Sequence, residues 1–459
     1  MLASTSPVNQ RLAAFGLWLR DHQRAIRATQ WLVVAFYLLL VAVPAFLPLP
    51  GDDARIVNNL TVFAQFLFWG IWWPFVLLSM ILVGRSWCGI FCPEGALSEW
   101  ASRHGRGASV PRWAKWRGWP FTAFCLTTIF GQLVSVYQYP KAALLVLGGS
   151  TVAAMLIGFA YGKGKRIWCR HLCPVNGVFG LLSRLAPLHM QVDRDHWAGT
   201  AQRKVIPVNC APLVDIRRMQ GPSECHMCGR CAGHRDAVQL ALRAPNREIA
   251  TLDGQRASGW DLMLLIYGLL GVAVGAFQWT ASPWFIAAKQ AAAEWLIEHD
   301  ILWPLADNAP WWLLTHYPDK NDVFSWLDGA AICAYIVGVA LLLGSWVLLW
   351  LAAAAGTQPG RLRANTIRLG YALTPLAGCG VFLGLSALTV SMLKTEGLVL
   401  HWLPQARMAL LGLAAAWTVW LAGRQLWPAG AWRALAGTLL LLPGVAGVIW
   451  AWSLLFFIW

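Results

Sequence analysis

Eleven cysteines occur in the 459-residue chain, and eight of them stand in polar stretches at spacings that suit metal chemistry. Cys88 and Cys92 lie in Arg85-Ser86-Trp87-Cys88-x3-Cys92-Pro93, and Cys169 and Cys173 lie in Arg166-Ile167-Trp168-Cys169-x3-Cys173-Pro174. The two stretches are one motif, R-x-W-C-x3-C-P, written twice. Thiolates suit soft metals and iron–sulfur clusters, and bacterial ferredoxin motifs end in the same C-x3-C-P element. Proline after the second cysteine stops a helix from running on through the turn and can open the next one. Together the pairs supply four thiolates, the number that a [4Fe–4S] cluster takes, so one shared cluster is the preferred reading. Buried unliganded thiols, a copper or zinc site and a thiol-redox pair are the competing ones.

The second constellation is Cys210, Cys225, Cys228 and Cys231. Its C-x2-C-x2-C core is three-quarters of a ferredoxin motif. Arg235 stands near the place of the usual fourth cysteine, without a proline, so Cys210 is the expected fourth ligand of a second cluster. Zinc is the alternative, held by the four cysteines or by three of them with His226 or His234. Arg170, Arg230 and Arg235 lie among these thiolates, where positive charge raises a cluster's reduction potential; as single residues they also read as ordinary loop charges. Cys125, Cys333 and Cys379 fall inside apolar runs and read as small hydrophobes.

The elements that must carry these turns are membrane helices. The chain is 58% hydrophobic and 12% charged, against about 25% charged in soluble domains. Nine apolar runs approach the roughly 20 residues that a span requires, near 30–48, 61–83, 119–137, 142–162, 260–284, 327–352, 369–393, 405–424 and 433–458. The expected fold is an all-α integral membrane protein with duplicated helix hairpins, each copy ending in a cysteine turn. Its segments are 1–29, a cytoplasmic N-terminal stretch; 30–162, the two-hairpin membrane domain with the first motif; and 163–259, the cytoplasmic cysteine-rich region. A fifth span at 260–284, a periplasmic amphipathic segment at 285–325 and a four-helix membrane domain at 326–459 complete it.

Charge orients the chain. The formal net charge is +15, and its Arg and Lys crowd the loops 85–118, 163–259 and 356–368. The 285–325 loop instead holds six acids against Lys289 and Lys320. The positive-inside rule then predicts an inner-membrane protein with a cytoplasmic N-terminus, cytoplasmic cysteine motifs and a periplasmic C-terminus. No recognition motif accompanies the charge, which argues against nucleic acid. Many of the 30 Trp sit near span ends as an interfacial belt. The first apolar run has no clear cleavage site after it and reads as a retained helix.

No histidine lies in the middle of a span, so a haem held by helix histidines is unsupported. No Gly-rich dinucleotide or P-loop motif occurs in a strand–turn–helix setting either. A nicotinamide or flavin donor would belong to another chain, and a quinone between the spans is a further possible cofactor.

The paired motifs resemble the membrane polyferredoxin family, which includes NosR, NapH and CcoG-like proteins. The resemblance covers about 30–260. It implies two [4Fe–4S] clusters, one on Cys88, Cys92, Cys169 and Cys173 and one on Cys210, Cys225, Cys228 and Cys231. It also implies electron transfer between a quinol or cytoplasmic donor and a partner redox or metal-uptake system. The chain departs from many members: it lacks two complete ferredoxin motifs and a NosR-type flavin domain, and it adds four C-terminal spans. A similar layout is expected of the FtrD-like polyferredoxin of bacterial iron-uptake systems, whose partners are an iron permease and periplasmic metal-binding proteins. An electron-transfer component is thus expected rather than a stand-alone enzyme. A thiolate-based copper or iron reductase and a zinc-stabilised scaffold are the alternatives.

Overall fold

The computed structural model describes residues 6–200, 202, 204–252 and 257–459. Among these, eight helices are long and apolar enough to cross a membrane. They are Gln23–Phe46, Leu60–Val83, Pro140–Tyr161, Gly259–Gln278, Trp326–Gly356, Leu362–Thr395, Leu403–Ala429 and Ala431–Ile458. The chain is a multi-pass, all-α membrane protein. The remaining expected span, near 119–137, is the 15-residue helix Trp119–Leu133. At 1.5 Å per residue it reaches about 22 Å, short of the ~30 Å hydrocarbon core. It stops because Ser135 turns left-handed (φ 49°), while the Leu133 carbonyl accepts the Thr315 N–H at 2.8 Å.

Two compact units make up the chain. The first comprises Met1–Leu39, Phe75–Pro120 and Gly149–Leu252. Its non-membrane part is built on an antiparallel hairpin, Leu188–Val192 with Val238–Leu242, in the register Met190↔Leu240. The sequence reading anticipated no strands there. Met190, Val214, Met219, Cys225, Met227, Val238 and Leu240 form its buried core, a cluster large enough to order a small loop domain. The N-terminal stretch is itself a helix, Pro7–Asp21, laid on the second strand, where Asn9 Oδ1 accepts the Leu242 N–H at 2.9 Å.

The second unit comprises Leu40–Pro74, Phe121–Gly148 and Asp253–Trp459. Trp452 is wholly buried in it and packs on Phe277. Polar side chains tie its helices, as they must where no water competes: Tyr371 donates to Asp261 at 2.8 Å, and Trp346 donates to the carbonyl of Pro443 at 2.9 Å. The segment 285–325 opens with the expected surface helix, Pro283–Glu298, capped by Ser282.

Candidate iron–sulfur site

Both C-x3-C turns close in the same manner. The Cys92 N–H donates to the Trp87 carbonyl at 2.9 Å, and the Cys173 N–H donates to the Trp168 carbonyl at 3.0 Å. Each bond spans five residues, a wide π-type turn of the kind that recurs at functional sites. Pro93 then opens the helix Pro93–Arg103, with Cys92 as its cap and the Gly95 N–H donating to Cys92 Sγ at 3.4 Å. The helix after Pro174 starts two residues later, at Asn176.

Tertiary structure brings the two turns together. Burial, with Cys88 and Glu94, pushes the Cys169 thiol up to about 12 against the opposing charges of Arg166 and Arg85. Burial also pushes Cys92 and Cys173 well up, each with Cys169 as a charged neighbour. Glu94 sits between the copies: burial raises its carboxyl, and it accepts from Trp168 Nε1 at 3.2 Å. Cys88, Cys92, Cys169 and Cys173 thus lie near enough to act on one another's charge.

Cys210, Cys225, Cys228 and Cys231 form a second set. Burial pushes Cys225 up to about 12, with Cys228 and Cys210 as neighbours. Cys231 is raised by burial and by Cys225, Cys228 and Cys210. The triplet loop bends through left-handed residues at Met227 (φ 52°) and Gly229 (φ 75°). This winding lets the Met227 N–H donate to Cys225 Sγ at 3.3 Å. Backbone N–H groups of Val175 and Val214 serve Cys173 and Cys210 in the same way.

Each set offers four sulfur donors, the number that a four-iron cluster takes. Burial and mutual repulsion together make thiols such as Cys92, Cys173 and Cys231 resist ionisation. A bound cation reverses that balance and deprotonates the thiols outright. Among the described residues, no three His, Cys, Asp or Glu side chains converge closely enough to hold a single metal ion. His226 is buried and its Nδ1 lacks a partner, with burial and then Arg85, Arg166 and Arg170 holding its pKa well below the ordinary range. His234 lies over Trp197.

The two sets meet at Gly89. A Cβ there would collide with the carbonyl of His226 and lie 3.0 Å from the Cys228 nitrogen. The first turn therefore backs directly onto the triplet. A buried ion-pair knot locks the junction. Glu99 accepts from Arg166 Nε at 2.9 Å, from Arg230 at 2.7 Å and from Arg103 at 3.3 Å. Arg166 also donates to the Cys88 carbonyl, and its backbone N–H donates to Ala211, beside Cys210. From the membrane side, Gln30 donates to the Gly89 carbonyl and Gln23 to the Cys228 carbonyl.

Of the three arginines read from sequence near the thiolates, Arg230 is spent on Glu99. Arg170 pairs with Glu224 at 3.6 Å, and Arg235 donates to the Thr200 carbonyl and stacks over Trp197. Arg85 and Arg166 act on the Cys169 sulfur, as Lys165 and Arg230 do on Cys210. The shared place of Arg85 and Arg166 in the repeat was the signal that could have singled them out.

Comparison with known proteins agrees with this geometry. The family described as 4Fe-4S binding domain matches twice, over 65–111 and 145–191, each match holding one C-x3-C pair. The chain is 22% identical over 232 residues to the putative electron transport protein YccM of Escherichia coli strain K12, covering 44% of this chain and 62% of that protein. It is 25% identical over 175 residues to the ferredoxin-type protein NapH of Haemophilus influenzae, covering 34% of this chain and 61% of that protein. The chain is thus similar to membrane ferredoxin-type electron transport proteins and carries the 4Fe-4S binding domain twice. It spans about three-fifths of the length of these curated relatives. No solved structure matches it.

Proposed function

We propose that the protein is a membrane-bound electron-transfer component holding two [4Fe–4S] clusters. One is bound by Cys88, Cys92, Cys169 and Cys173, the other by Cys210, Cys225, Cys228 and Cys231. The observation that carries this reading is the gathering of eight cysteines, from four separate stretches of chain, into two buried or half-buried sets that adjoin at Gly89. The names of the relatives, an electron transport protein and a ferredoxin-type protein, point the same way. The clusters supply one-electron redox chemistry. The chain's own residues hold them out of water and keep the two centres in contact through backbone. Electrons pass from a quinol or a cytoplasmic reductant to a partner redox protein.

We assign both centres to the cytoplasmic face. In this assignment Trp119–Leu133 and its following turn together return the chain between the helices Leu60–Val83 and Pro140–Tyr161, which keeps both turns on one face. The excess of Arg and Lys in 85–118 and 163–259 puts that face inside. The test is anaerobic purification of the full chain in detergent, followed by iron and sulfide analysis and EPR of the dithionite-reduced protein. About eight irons and eight sulfides per chain are expected for two clusters. Protein that is folded, carefully protected and free of both would sink the reading.

A further inference from the structure

Arg85 and Arg166 occupy the same place in the two copies of R-x-W-C-x3-C-P, and both are buried, at 4% and 2% exposure. Their charges are met differently. Arg166 is paired with Glu99. Arg85 has no carboxylate partner among the described residues. Its guanidinium donates to the Ser223 carbonyl at 2.9 Å and to Asn176 Oδ1 at 2.6 Å, and its Nε is buried with no acceptor at all. Asn176 has the shape of an aspartate without the charge, so it orients the guanidinium and leaves the cation uncompensated. A lone cation removed from water is costly unless an anion lies near. The closest sulfur, Cys88 Sγ, is 4.0 Å from one guanidinium nitrogen, and Ser223 places the other two residues ahead of Cys225.

We propose that Arg85 is the counter-cation of the cysteine centres and sets their reduction potential, acting most strongly on the Cys88, Cys92, Cys169 and Cys173 site. The inference rests on the cluster-binding function above. Reduction by one electron adds a negative charge at the sulfurs. A fixed positive charge at Arg85 favours that reduced state, and a low-dielectric surrounding strengthens the effect. Duplication thus produced two arginines with separate tasks: Arg166, paired with Glu99, builds the junction, and Arg85, with no carboxylate partner among the described residues, tunes it.

The experiment is an EPR-monitored redox titration of the full-length protein in detergent, comparing wild type with Arg85→Met, Arg85→Lys and Asn176→Asp. Arg85→Met removes the charge, and Asn176→Asp cancels it in place while leaving Arg85 present. Each should make reduction of the first centre at least tenfold harder, about 59 mV lower for one electron. The second centre should shift the same way by less, and Arg85→Lys should stay near wild type. If Arg85→Met loses iron, Asn176→Asp decides alone. A first-centre potential within twofold of wild type in Asn176→Asp, at unchanged iron content, overturns the proposal. A wild-type protein without iron and sulfide would instead remove the cluster reading beneath it.

Discussion

At the scale of single residues, the weight falls on side chains that touch sulfur or hold the residues that do. Cys210 is separated from its triplet by fourteen residues, yet it shares charge with Cys228 and Cys231 in the fold. Cys210→Ser should therefore cost the second centre only. Iron analysis should fall from about eight to about four per chain, with the first EPR signal retained; loss of both signals would mean that Cys210 supports the whole junction. Cys125→Ser, inside the helix Trp119–Leu133, should leave both signals unchanged. Glu99 is the other critical residue. Burial alone would raise its carboxyl, but Arg166 and Arg230 outweigh burial and hold it at about 2. A carboxyl depressed in the fold stabilises fully above the unfolded value near 4.5, and that stability is lost as pH falls towards 2. Melting temperature in detergent should drop between pH 5 and pH 3 for wild type and much less for Glu99→Gln. At pH 7 that variant should be destabilised by about 3–5 kcal/mol, the usual consequence of breaking a buried pair.

At the scale of elements, the duplicated turn is the working part. Its π-type closure and its helix-opening proline follow from local chemistry and were legible in R-x-W-C-x3-C-P. The hairpin Leu188–Val192 with Val238–Leu242 was not legible, because its strands are separated by the whole triplet region and pair only through that long connection. The third expected span, 119–137, was read too long for a similar reason. Apolar composition continues past Leu133, while the chain is stopped by a hydrogen bond from remote Thr315. The contact at Gly89 joins the turn to the triplet and leaves no room for a side chain. Gly89→Ala should push the two loops apart, lower the iron content and broaden or abolish the second EPR signal. Full iron with a wild-type melting temperature would show that the junction yields without consequence.

At the scale of the whole molecule, the expected arrangement is a chain with its N-terminus and both centres inside and its C-terminus outside. A C-terminal alkaline phosphatase fusion should be active in the periplasm, and a C-terminal green fluorescent protein fusion should be dark. The reversed pattern would overturn the orientation and with it the cytoplasmic donor. Sequence alone determined what depends on neighbours along the chain: the apolar runs that demand a membrane, the repeated cysteine turn, and the eight thiols set apart from the three inside spans. Tertiary structure decided which thiols stand near one another, that Gly89 joins the two sets, and that Arg166 pairs with Glu99 while Arg85 has no carboxylate partner among the described residues. Those pairings link residues about 70 to 140 positions apart. No periodicity or spacing rule reaches that far; only packing of a buried core with its charges matched brings such residues into contact.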